Sequence, residues 1–246
     1  MVFSYLKEIF LVGLSLVLVS GCAPVSSDMQ SAKMVGQGGL ELTVNKGSLD
    51  ADLGDESGDG DVAGGSFSDV QSNLGFQFAY GLNEKLDLRV RYESIALDIP
   101  IIDPFASGPV ESPSDFKMMS LGLKLNILPN KLSFYLPYTR YSVDDDTTEA
   151  LELLEPTLLY TYLFKGAFEL TPSLKFLIPI EEESEDMDPG YAFNLGLGYS
   201  LKNKVKDERL SKLIFRLESG RFYPIAENAN GQYYTHTTFG LTYKLR

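Results

Sequence analysis

The stretch Asn73-Leu74-Gly75-Phe76-Gln77-Phe78-Ala79-Tyr80-Gly81-Leu82-Asn83-Glu84-Lys85-Leu86-Asp87-Leu88-Arg89-Val90-Arg91-Tyr92 decides how this chain is to be read. Leu74, Phe76, Phe78 and Tyr80 share one parity, and Gly75, Gln77, Ala79 and Gly81 the other. After Asn83-Glu84-Lys85 the alternation resumes, with Leu86, Leu88, Val90 and Tyr92 against Asp87, Arg89, Arg91 and Glu93. Successive strand side chains point to opposite faces, so a period of two predicts a strand, a tight turn and an antiparallel strand.

The same pattern runs on to the carboxyl end. It predicts strands at 119–127, 132–138, 158–164, 168–178, 191–201, 213–217 and 233–245. Connections alternate between short turns, at 83–85, 129–131 and 165–166, and long polar stretches, at 97–116, 142–152, 180–190 and 221–232. One connection, Lys202–Ser211, is longer than the other turns, and its Lys204–Arg209 stretch has the composition of a helical turn. A meander crossing a membrane needs an even number of strands if both ends lie on one side. Leu40-Glu41-Leu42-Thr43-Val44 supplies the tenth. The expected fold is all-β, an antiparallel up-and-down transmembrane β-barrel of about ten strands, with eight as the alternative count.

Two architectures place the apolar parity differently. In a soluble sandwich or lipocalin-like barrel it forms the core; in a membrane barrel it meets lipid while the other parity fills the lumen. Tyrosines near strand ends, as in an aromatic girdle, favour the membrane barrel. So does an opposite face of Gly, Ser, Thr and charges of both signs. Over residues 38–246 the chain resembles bacterial outer-membrane β-barrel proteins, in the unit 73–92 quoted above and in the last strand. There Phe239-Gly240-Leu241-Thr242-Tyr243-Lys244-Leu245-Arg246 is similar to their assembly signal. It departs from that signal by ending on Arg246, where the family ends on Phe or Trp. The resemblance implies outer-membrane lipids and lipopolysaccharide as surroundings, and the barrel assembly machinery as a partner.

Residues 1–21 read as an export signal. Lys7 precedes the apolar run Ile9–Val19, which is too short to span a bilayer. Val19-Ser20-Gly21-Cys22 follows and resembles the lipobox of bacterial lipoproteins. That resemblance implies cleavage before Cys22, its acylation with palmitate-type chains, and handling by the lipoprotein sorting machinery. Ala23, in place of an aspartate, implies the outer membrane as destination. The expected organisation is therefore a signal peptide at 1–21, a lipidated tether of small polar residues at 22–37, and a barrel at 38–246.

Composition agrees with one full-sized domain: 246 residues, 44% hydrophobic and 22% charged. A net charge of -13 argues against nucleic acid as a partner, since phosphate needs a basic face. A single cysteine leaves no disulfide framework.

Parity assigns Asp87, Arg89, Arg91, Glu93, Lys124, Glu169, Lys175, Arg216 and Glu218 to the lumen. Charges of mixed sign in a narrow bore pair and block it, because an unpaired buried charge is costly. The lone histidine, His236, is also expected in the lumen. A serine nucleophile needs a base beside it, but the neighbours here are Thr235, Thr237 and Thr238. A hydrogen-bonded lumen histidine is the expectation, with no enzyme activity, cofactor or metal. Asp55, Asp59 and Asp61 lie in a Gly-rich acidic loop that could bind a cation weakly, without the Glu that completes an EF-hand. The runs Asp144–Asp146 and Glu181–Asp186 repeat that acidity, and 97–105 carries loop apolar residues fit for a hydrophobic contact. The expected role is non-enzymatic: structural, binding, or porin-like passage of small solutes or hydrophobic molecules. The alternatives are a soluble periplasmic β-barrel lipoprotein that binds a hydrophobic ligand and, less favoured, a lipid-modifying enzyme.

Overall fold

The computed structural model describes residues 27–52, 66–97, 116–143, 150–164, 167–180, 189–202, 204–224 and 233–245. The strands are β1 (Leu40–Asp52), β2 (Ser66–Asn83), β3 (Leu86–Leu97), β4 (Phe116–Leu128), β5 (Leu132–Val143), β6 (Leu151–Leu154), β7 (Thr157–Tyr160), β8 (Tyr162–Leu163), β9 (Phe168–Pro179), β10 (Gly190–Ser200), β11 (Leu213–Pro224) and β12 (Tyr233–Lys244). All pairing is antiparallel, β6 and β7 both lie between β5 and β9, and β12 returns to β1 over a register from Glu41↔Lys244 to Asp52↔Tyr233. That last ladder closes the sheet into a barrel and leaves no free edge among the described strands.

Segments β6, β7 and β8 are one strand in three pieces, so the barrel has ten strands. Pro156 has no N–H for the ladder and breaks the strand locally. Pairing carries across the breaks, since Glu155 N–H donates to Pro137 at 3.0 Å and Thr161 N–H to Lys131 at 2.7 Å. The sixth strand thus begins at Leu151 and β11 runs to Pro224. Both long connections are shorter than the alternation predicts.

The tight turns are as their residues dictate. Asn130 takes φ 58°, a left-handed conformation asparagine tolerates, and Asn83 accepts the Lys85 N–H at 2.8 Å. In the longer connection the helical turn is α1 (Glu208–Ser211), capped by Asp207, whose carboxylate accepts from the Arg209 and Leu210 N–H groups.

The barrel is inside-out relative to a soluble protein. Leu74, Phe76, Phe78, Val90, Met119, Leu121, Leu125, Phe193 and Phe239 are exposed on the outer wall. Along β4, Leu123 is 48% exposed and the next residue, Lys124, 0%. Burying apolar surface is the main drive to fold in water. A wall that presents it outward on strand after strand is built for a non-aqueous surrounding. Aromatic pairs flank the band at both ends. Phe168 and Tyr199 meet at 4.6 Å near the tight turns, and Tyr191 stacks on Tyr223 at 5.2 Å near the long connections.

The described end of the 22–37 stretch is not at the surface. Ser27, Asp28, Met29, Gln30, Ser31 and Ala32 are buried in the barrel. This strap runs from the middle of β11, beside Glu218, to the tight-turn end, where Gly36 lies against Gly81. There Gly36 and Gly38, at φ 87° and 69°, turn the chain into β1.

Candidate functional site

The site is the lumen. All nine charged residues assigned to it by parity project inward, and all are buried except Arg216, which is half-buried. β3 contributes four of them at two-residue spacing, which is why one alternating strand supplies so much of the lining. Arg91 meets Glu93 at 2.6 Å. Glu93 also accepts from Asn45 at 3.0 Å and Asn73 at 2.6 Å. Its carboxylate is therefore fully engaged, as a buried charge must be. Arg89 lies 3.8 Å from Asp87 and 4.0 Å from Glu41, and Glu41 pairs with Lys244 at 2.7 Å.

The strap completes the remaining pairs. Lys175 sits between Asp28 at 2.9 Å and Glu155 at 3.2 Å. Glu218 accepts two successive strap N–H groups, those of Asp28 at 2.7 Å and Met29 at 3.1 Å. Thr161 Oγ accepts the Ala32 N–H at 2.7 Å, and Asp87 accepts that of Val35 at 3.1 Å. Lys124 donates to the carbonyls of Ser31 and Lys33, both at 2.6 Å. Lys33 in turn pairs with Glu169. His236 is buried with Nε2 3.6 Å from Glu218.

Above this layer, towards the long connections, the lining turns apolar. Leu153, Leu177, Ala192 and Phe222 form one buried cluster, flanked by Tyr141, Leu151 and Tyr234. Ile95 and Met118 form a second, against Phe116 and Tyr141. The Phe222 ring lies so close to Gly190 that it leaves no room for a Cβ there.

Sequence reasoning missed the strap and Glu155. Ser27, Asp28, Gln30 and Ser31 have the composition of a solvent loop, and nothing local marks them as lumen filling. Glu155 sits beside the Pro156 break, where parity fails. Glu41 and Lys244 were readable, since each alternates with outward apolar neighbours. Cys22, Asp55, Asp59, Asp61 and the acidic runs at 144–146 and 181–186 lie outside the described residues. Among the described residues, no cluster of three His, Cys, Asp or Glu side chains is arranged to hold a metal ion.

No protein-family model matches the chain, and no curated protein does. Solved structures match in fold. An outer-membrane channel from Pseudomonas putida F1 is similar at 9% identity and a TM-score of 0.45, over 91% of this chain and 99% of that one. The outer-membrane protease OmpT from Escherichia coli is similar at 12% identity and a TM-score of 0.44, over 84% and 97%. The translocator domain of the autotransporter NalP from Neisseria meningitidis is similar at 10% identity and a TM-score of 0.43, over 83% and 88%. Likeness at this level carries no argument about role, and the β-barrel architecture rests on the strand pairing described above.

Proposed function

We propose that this chain is an outer-membrane β-barrel protein, anchored additionally by a lipid on Cys22, with a structural or binding role and no enzymatic activity. One observation carries the reading. The wall is apolar outside and charged inside, and the bore is filled by the chain's own residues 27–35. A soluble barrel that carries a hydrophobic ligand needs the reverse distribution, with its apolar parity around an internal cavity. Open, porin-like passage needs a water-filled bore, whereas here Lys124 and Lys175 are 0% exposed. The lipid on Cys22 and sorting to the outer membrane rest on the Val19–Cys22 motif. Assembly machinery and lipopolysaccharide enter as partners on the same footing.

The test is fractionation of cells expressing the full chain, read together with gel mobility before and after heating. The expected outcome is a heat-modifiable band in the outer-membrane fraction, labelled by radioactive palmitate in the wild type and unlabelled in Cys22→Ser. Purified barrels in planar bilayers should show no steady conductance. A chain released with the soluble periplasmic fraction, with no heat-modifiable band, would overturn the membrane reading. Equal labelling of Cys22→Ser would overturn the lipid anchor alone.

A further inference from the structure

We propose that the polar half of the lumen is a binding site for a short peptide, and that Ser27–Val35 is an exchangeable occupant rather than a fixed part of the wall. This rests on the barrel reading above and goes beyond it.

Four observations carry it. First, the wall closes without the strap. Each of the ten barrel strands, β6–β8 counted as one, pairs with two neighbours, and β1 meets β12 along its length. Among the described residues no backbone–backbone hydrogen bond joins 27–35 to a strand. The first such contact is Gly38 N–H to the Gly81 carbonyl at 2.8 Å, beyond the strap. Withdrawal therefore breaks no ladder.

Second, the lumen reads a peptide backbone. Side chains of the wall meet the N–H groups of Asp28, Met29, Ala32 and Val35 and the carbonyls of Ser31 and Lys33. Donors and acceptors are set at intervals along an irregular chain that is left-handed at Met29, φ 46°, and bends at Ala32. Only two strap side chains are read by charge, Asp28 on Lys175 and Lys33 on Glu169. The recognised pattern is an acidic residue followed five positions later by a basic one.

Third, three of the wall charges that grip the strap keep a wall partner when it leaves. Lys175 retains Glu155 at 3.2 Å, Asp87 retains Arg89 at 3.8 Å, and Glu218 retains His236 at 3.6 Å. Lys124 and Glu169 are the exceptions, because the carbonyls of Ser31 and Lys33 and the Lys33 ammonium leave with the strap, and water entering the vacated half takes their place. Fourth, the strap ends at Gly36-Gln37-Gly38-Gly39 on the tight-turn rim, and Gly36 and Gly38 hold positive φ. That is the place for a hinge, because glycine crosses between backbone regions at little cost.

The apolar clusters above the site close the bore independently, so exchange of the strap is read by binding and accessibility rather than by conductance. The probe is the synthetic peptide Ser-Asp-Met-Gln-Ser-Ala-Lys-Met-Val, fluorescently labelled, added to barrels reconstituted in detergent. A variant lacking residues 27–35 should bind it saturably, and the full chain at least tenfold more weakly, because its own strap competes. The same peptide with lysine in place of its aspartate should bind the strap-less barrel at least tenfold more weakly, since it sets a cation against Lys175. A heat-modifiable band from the strap-less variant certifies that the barrel has formed, which separates failure of this proposal from failure of the membrane reading.

The second measurement needs no deletion. In a Cys22→Ser background, Ala32→Cys places the only thiol on the buried strap, where Ala32 is 0% exposed. Its maleimide labelling should be slow, and at least tenfold faster when Asp28→Lys is added or when excess free peptide traps the vacated lumen. The proposal is overturned if a folded strap-less barrel binds the peptide no better than its reversed sequence. It is equally overturned if neither Asp28→Lys nor free peptide changes the labelling rate.

Discussion

The two halves of the lumen are closed by different chemistry. Towards the tight turns the filling is a strap whose backbone is gripped by Glu218, Lys124, Asp87 and Thr161. Towards the long connections it is Phe222, Leu153, Leu177, Met118 and Ile95, all from the wall itself. The apolar half closes by burial, which is non-directional, so each side chain contributes in proportion to its own area. The charged half closes by mutual satisfaction, so each group depends on a named partner. Removing an apolar side chain there leaves a hole; removing a charged one leaves an ion without its counter-ion. The second loss is the larger for a comparable change in volume.

The sharpest way to break this comparison is Glu93→Leu. Glu93 is the common acceptor of Arg91, Asn45 and Asn73, and it is 0% exposed. Its loss strands a buried guanidinium, for an expected destabilisation of about 3–5 kcal/mol. Glu93→Gln keeps the shape and one acceptor oxygen and should cost clearly less. Urea unfolding from lipid vesicles, followed by tyrosine fluorescence, reads both. If Leu were tolerated as well as Gln, water would have to reach this layer and the lower half would not be dry.

Next in size is Leu153→Ala in the apolar half. Leu153 is 2% exposed and packs with Leu177, Ala192 and Phe222. Truncation should cost about 2–5 kcal/mol, and Leu153→Met, which conserves volume, under about 1.5 kcal/mol. The same unfolding assay measures them. Equal, negligible losses from both would mean that these residues line an open vestibule and not a packed seal.

The fold was far more legible than its filling, for a physical reason. Strand periodicity is imposed at every second residue, so Leu74–Tyr80 and Leu86–Tyr92 declare their faces locally, and even β1 is readable from Leu40–Val44. The nine lumen charges follow from that parity without any tertiary information. The strap obeys no such rule. Its hydrogen bonds run to residues as far away as Glu218, 190 positions on from Asp28, and its own sequence is polar and aperiodic. What fills a barrel is decided by long-range complementarity. Here the sole local trace is a pair of opposite charges, Asp28 and Lys33, in an otherwise small and polar stretch.

The smallest expected effect is that of enlarging a side chain on the outer wall, and its contrast with placing a charge there is the point. Leu123→Arg, on the lipid face, should cost about 2–4 kcal/mol, because a cation near the bilayer midplane has no water. Leu123→Trp and Leu197→Trp should cost almost nothing, since lipid tails yield to a larger side chain. A packed core would instead resist the added volume by about 1–3 kcal/mol. The chain has no native Trp, so each variant carries a single reporter. In vesicles of brominated lipid, fluorescence at 123 and 197 should be strongly quenched. Arg216→Trp, on the inner wall, should be quenched little, because the β-sheet stands between it and the acyl chains. Quenching at 216 equal to that at 123 would put lipid on both faces of the wall, and no quenching at any of the three would remove the wall from the membrane altogether.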